Sequence, residues 1–158
     1  MRRKLALIVS GFLVAGGGGI VSSVTSLTAT AATTLTVIEH AAKSTYLDLG
    51  KPGYSRGDLS IFRNKIYDEA DATIVGWDQG ICTVISTKQH SWECVGTVFV
   101  DDGGSSITFE NPFYDFEDSV GAVKGGTGAY SGATGTFTVG CTDGGCTSGE
   151  YALVFSLA

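Results

Sequence analysis

From about residue 35 onward the chain is a succession of short runs of β-branched and aromatic residues, each bounded by Gly, Asp or Ser, with almost no helical periodicity. Such runs form strands and end where the chain turns, so the domain reads as all-β. The spacing predicts strands over 35–41, 59–67, 73–77, 80–86, 92–100, 106–110, 120–127, 132–141 and 149–156. With 23 glycines and only 2 prolines among 158 residues, tight turns can join many short strands. Several runs alternate: Ser60, Phe62 and Asn64 oppose Leu59, Ile61 and Arg63, and Trp92, Cys94 and Gly96 oppose Glu93, Val95 and Thr97. Neither face is purely polar. That mixture suits a barrel with a partly apolar interior and a partly covered exterior, and closing the sheet removes its exposed edges. The longest connection, 43–57, is rich in glycine and polar residues, as functional covers are.

The N-terminus reads as a secretion signal over 1–31. Arg2, Arg3 and Lys4 form a basic head, an apolar stretch covers 5–14, and Ala29-Thr30-Ala31 offers a cleavage site that leaves a mature domain of 32–158. The rival reading, an uncleaved anchor, meets an apolar run too short and too glycine-broken to span a bilayer. Without the signal the net charge is −9, which argues against nucleic-acid or anionic-membrane partners. A secreted chain of this kind pairs its cysteines. The spacing favours Cys82 with Cys94 and Cys141 with Cys146, each pair set opposite across a hairpin; a zinc site is the rival, but the spacing fits no common zinc module.

Gly57-Asp58-Leu59, Phe62, Asn64-Lys65-Ile66-Tyr67, Val75-Gly76 and Gly80-Ile81-Cys82 follow one another in an order that resembles the allene oxide cyclases. Asp102-Gly103-Gly104, Asn111-Pro112-Phe113 and Phe116-Glu117-Asp118-Ser119 continue the likeness, as does the run from Gly125-Gly126-Thr127-Gly128 to Gly135. That glycine-rich string is also similar to a signature of dirigent proteins. The resemblance covers roughly 36–140. It implies an eight-stranded antiparallel β-barrel of calycin-like form, often a homotrimer, with a mainly apolar cavity and no cofactor, while the residue spacing by itself points to no metal. It further implies a cage that steers a reactive small molecule to one ring closure or one stereochemical outcome.

Carried over by motif, Glu39 falls on the cavity glutamate, Asn64 on an asparagine that holds a water, and Cys82 on a cavity cysteine. Three positions depart from the pattern. Phe113 replaces a cavity tyrosine, Ala41 replaces a second asparagine, and no Ser-Pro pair follows the first strand. Glu39 and Asn64 are the candidate catalytic residues, because a desolvated carboxylate gains a raised pKa suited to proton transfer or cation stabilisation. Phe62, Trp92 and Phe113, with Cys82, are candidates for the substrate-binding wall. Gly125 to Gly128 precede no helix pattern and so do not form a phosphate loop. His40 and His90 lack sequence neighbours for a triad or metal site, and Asp101-Asp102 begins a turn.

Two functions from different classes follow. The first is a cofactor-free cyclase, isomerase or stereo-directing protein for an apolar secondary metabolite; the second is a secreted non-catalytic carrier of an apolar ligand. An inward Glu39 within reach of Asn64 favours the first, and an outward Glu39 favours the second. A third, a carbohydrate-binding exoprotein, calls for exposed aromatics on an outer face and no enclosed cavity.

Overall fold

The computed structural model describes residues 33–42 and 44–158. The expected signal segment and the expected mature start at Ala32 lie outside the described residues. Nine strands form one antiparallel sheet: β1 (Thr33–His40), β2 (Ser44–Leu47), β3 (Leu59–Tyr67), β4 (Ile74–Ser86), β5 (Ser91–Val100), β6 (Ser105–Tyr114), β7 (Ser119–Thr127), β8 (Gly135–Cys141) and β9 (Glu150–Leu157). They run in the order β1-β9-β8-β7-β6-β5-β4-β3-β2, and β1 also pairs with β3, which closes the barrel.

The closure has a particular construction. β1 pairs with the C-terminal end of β3, His40 facing Lys65, while β2 pairs with its N-terminal half, Ser44 facing Phe62. Between these points the β1–β2 side carries three residues against two on β3. β1 and β2 therefore act as one barrel strand carrying a one-residue excess, which makes eight strands in the ring, as the resemblance implies. The ladder is replaced locally: Ala42 N–H donates to the Asn64 side-chain oxygen at 3.1 Å, and Ala41 N–H to the Gly149 carbonyl at 2.8 Å. Irregularities of this kind bend a strand and re-aim its side chains.

β3 occupies the span that alternation predicts, and most other strands lie within a few residues of expectation. Two differences matter. The predicted 73–77 and 80–86 are a single strand, β4, because Asp78 and Gln79 continue the ladder opposite Val98 and Thr97. The predicted connection 43–57 contains β2, whose four residues are all exposed and show no burial pattern to read.

Beyond β2 the connection is organised by Asp58, a fully buried carboxylate. It accepts from the Tyr46 hydroxyl, the Leu49 and Ser55 backbone N–H groups and the Ser55 hydroxyl. These donors, Tyr46 first, hold its pKa below the usual carboxylate range.

One end of the barrel is solid. Val37, Ile66, Val98, Val100 and Ile107 join Phe137, Phe155 and Leu157 in a single core. The rings of Phe109, Phe137 and Phe155 stack in series, with centroids 4.2 and 4.8 Å apart. Both disulfides are formed, Cys82–Cys94 and Cys141–Cys146. Cys82 and Cys94 face each other across the β4–β5 hairpin as expected. Cys141 does not face Cys146. Its register partner is Tyr151, and the second bridge instead closes a small loop within the β8–β9 connection. The turn residues between these strands are more numerous than the cysteine spacing suggests.

Candidate functional site

Towards the other end the barrel is hollow, with a cavity of about 260 Å³. Inward positions stack in rows set by the register. Asn64, Asp78, Val98 and Ile107 form one row; Phe62, Gly80, Gly96 and Phe109 form the next; Ser60, Cys82, Cys94 and Asn111 form a third. The glycines of the middle row are dictated by the rings beside them. A Cβ on Gly80 would lie 2.6 Å from the Phe62 ring, and one on Gly96 would lie 2.3 Å from that of Phe109. Two large rings thus lie flat on the sheet and leave the centre open. Phe137, Val139 and Leu153 complete the apolar wall. Ala41, Ala42 and Ser44 are exposed and also line the cavity, so it opens at the β1–β2 junction.

The polar floor lies where the solid core ends. Glu39 on β1 faces the cavity, and its Oε1 accepts a hydrogen bond from Asn64 Nδ2 at 2.5 Å. The buried Asp78 on β4 accepts the Asn64 backbone N–H at 3.2 Å and hydrogen-bonds to the Glu39 carboxyl. Desolvation pushes Glu39 up to about 7, against the lowering effect of its bonds to Asn64 and Asp78. Desolvation, with the charge of Glu39 behind it, pushes Asp78 up to about 9. Two carboxyls this close do not both ionise readily, so at neutral pH the pair retains a proton. Tyr151 faces Glu39 across the β1–β9 ladder and lines the same cavity. Burial, then the Glu39 charge, raises its pKa, so its hydroxyl stays protonated.

The candidates named from sequence divide accordingly. Glu39, Asn64, Phe62, Phe113 and Cys82 all line the cavity. Cys82 does so as half of a disulfide, so it presents no thiol. Trp92 is not among the lining residues. Its indole N–H donates to Asp115 at 2.8 Å and its ring packs against Tyr54, 5.7 Å between centroids, at the hollow end of the barrel. Asn64 engages both ends of its amide, one with Glu39 and one with Ala42, and so braces the carboxylate as well as the strand junction.

Sequence reading missed Asp78, Asn111, Tyr151, Phe109 and Phe137. Asp78 shares the parity of Gly76, Gly80 and Cys82, a signal that was present but masked, since Asp beside Gln and Gly resembles a turn. His40 is not isolated. Asp71 at 2.7 Å and Glu150 at 4.0 Å stand around it, and the ligand-type atoms of the three lie within 4.8 Å of one another on the surface. These residues are far apart in sequence, so no spacing could reveal the grouping.

The family model described as Allene oxide cyclase matches residues 31–140, over half of the chain. Among solved structures, one named Pyocyanin demethylase is similar with a TM-score of 0.68 and 24% identity, covering 80% of this chain and 100% of that one. The pterocarpan synthase dirigent protein GePTS1 is similar with a TM-score of 0.64 and 20% identity, over 80% of this chain and 82% of that one. For the pterocarpan synthase dirigent protein PsPTS1 the values are 0.61 and 22%, over 80% and 92%. At these identities the structural likeness establishes the barrel.

Proposed function

The chain belongs to the allene oxide cyclase family, and from that premise we propose that it is a cyclase, isomerase or stereo-directing protein for a reactive, largely apolar small molecule held in the barrel. One observation carries this reading: the Glu39 carboxylate, gripped by Asn64 at 2.5 Å and backed by Asp78, faces an otherwise mainly apolar cavity. Burying two carboxyls is costly even when they are hydrogen-bonded and share a proton, and groups shifted in this way cluster at functional sites.

The apolar rings confine the reactant to one folded shape, which removes part of the entropic barrier to closure. Glu39, with its pKa raised towards neutrality, exchanges a proton with the substrate or stabilises a developing cation, and the proton that the pair retains beside Asp78 tunes it. An internal rearrangement of this kind moves electrons within the substrate and calls for no co-reactant. We also infer that the protein is exported, a reading supported by its two formed disulfides. Assembly as a homotrimer is supported by an exposed aliphatic row, Ile61, Ile81 and Val95, neighbours across β3, β4 and β5.

The test compares wild type with Glu39→Gln, both supplied with quinone methides or unsaturated epoxides generated in situ. Native mass spectrometry reads binding and chiral chromatography reads product. Binding by both forms, with a single stereoisomer from wild type only, supports the proposal. Binding without turnover in either form makes the protein a carrier.

A further inference from the structure

The outer face of the barrel carries a group of side chains that the cavity does not use. His40 ends β1, Glu150 opens β9 as its register partner, and Asp71 lies in the turn between β3 and β4. Glu39 and Tyr151, the adjacent residues on the same two strands, line the cavity, so strand alternation sends His40 and Glu150 outward. His40 Nε2 lies 2.7 Å from Asp71 Oδ1 and 4.0 Å from Glu150 Oε1. One ligand-type atom from each of the three residues falls within 4.8 Å of the other two.

Each member is held from behind. Tyr67 stacks on the His40 imidazole with 4.1 Å between centroids, which fixes the ring plane. The Asp71 backbone takes φ 55° and its N–H donates to the Asp68 carbonyl at 2.9 Å, while the Asp68 side chain accepts from the N–H groups of Ala72 and Thr73. Thr142 Oγ1 reaches Glu150 Oε2 at 3.5 Å and leaves Oε1 on the His40 side. The charges do not balance within the group. A protonated imidazole offsets one carboxylate and leaves the other, and Lys65, the register partner of His40 on β3, makes no ion pair with either acid among the described residues. A dication held by two carboxylates and a neutral imidazole removes that excess.

We propose that His40, Asp71 and Glu150 form a site for a divalent transition-metal ion of the zinc type, a clamp across the seam where β1 closes on β3 and β9. The imidazole sets the class of metal, since carboxylates and water suit magnesium and calcium whereas a histidine nitrogen suits zinc and its neighbours. At metal–ligand distances of about 2.0–2.2 Å, tetrahedral donors stand about 3.3 Å apart. Asp71 therefore draws back and Glu150 draws in, by small rotations open to two partly exposed side chains. A carboxylate has no proton to give, so the hydrogen between His40 and Asp71 sits on Nε2, and the metal displaces it to Nδ1 or to solvent. Water takes the remaining position. None of the three residues lines the cavity, so the clamp is independent of the chemistry proposed for Glu39.

The experiment titrates zinc and then magnesium into chelator-treated protein by calorimetry, in wild type, His40→Ala and His90→Ala. The last variant removes the other histidine, which has Asp115 at 3.6 Å and is the rival ligand. One zinc per chain is expected, with affinity falling at least tenfold in His40→Ala and changing within twofold in His90→Ala. Magnesium should bind at least tenfold more weakly than zinc. At a hundredfold excess over the dissociation constant, zinc should raise the wild-type melting temperature by about 5 °C, and this rise should vanish in His40→Ala. Absence of stoichiometric zinc binding, an affinity unmoved in His40→Ala, loss in His90→Ala instead, or magnesium binding as tight as zinc each overturns the proposal. Should His40→Ala fail to fold, Asp71→Asn is read against the same outcomes. No organic ligand enters the titration, so its result is separate from that of the Glu39→Gln comparison.

Discussion

Asp78 and Glu39 meet through Asn64, whose backbone N–H donates to Asp78 at 3.2 Å while its side-chain Nδ2 donates to Glu39 at 2.5 Å. One asparagine on β3 thus holds carboxyls from β4 and β1 against each other, and their shared proton is a product of barrel closure.

Because the Asn64 bond lowers the Glu39 pKa, its loss has a directional effect. In Asn64→Ala the limb of the pH–rate profile set by Glu39, near 7 in wild type, is expected to move to higher pH. Substrate affinity should change less than turnover. An unmoved limb would show that Asn64 braces the strand junction alone.

The carboxyl pair also sets a pH dependence of stability. Both folded-state pKa values are raised, so the folded protein binds more protons than the unfolded chain between the ordinary carboxylate range and about 9. Stability is then fullest below pH 4 as far as this pair is concerned, and is lost as pH rises through about 7 and 9. Asp58, Asp68 and Asp143 are shifted the other way, and their contribution changes only in acid. Melting temperature is therefore expected to fall from pH 5 to pH 9 by about 5 °C or more. Asp78→Asn should flatten the slope over that interval, which calorimetry would read.

Reducing the two disulfides should have unequal effects. The chain-entropy argument gives about 3 kcal/mol for a loop of Cys82–Cys94 length and about 2 kcal/mol for one of Cys141–Cys146 length, where the separations are 12 and 5 residues. Chemical denaturation of Cys82→Ser/Cys94→Ser and of Cys141→Ser/Cys146→Ser measures both. Only the first pair lies in the cavity wall, so only its loss should also weaken ligand binding.

If the row of Ile61, Ile81 and Val95 is the trimer contact, Ile81→Asp places a charge at its centre. Light scattering should then report monomers at concentrations where wild type is trimeric. Ile81 points outward, so the melting temperature of the isolated barrel should change little.

What the sequence determined by itself was the local pattern. Alternation fixes β3 because each inward residue, Ser60, Phe62, Asn64 and Ile66, has an outward neighbour, and strand periodicity needs no tertiary information. Cysteine spacing identified both bridges for the same reason: their partners are close in the chain. Family motifs located Glu39 and Asn64. The tertiary structure decided the rest, because a barrel interior is assembled from strands distant in sequence. Asp78 has the composition of a turn, and only closure of β1 on β3 turns it into the partner of Glu39. Asn111 is an ordinary strand residue until the closed sheet buries its amide. β2 has no buried face, and the pairing that makes it a strand belongs to β3.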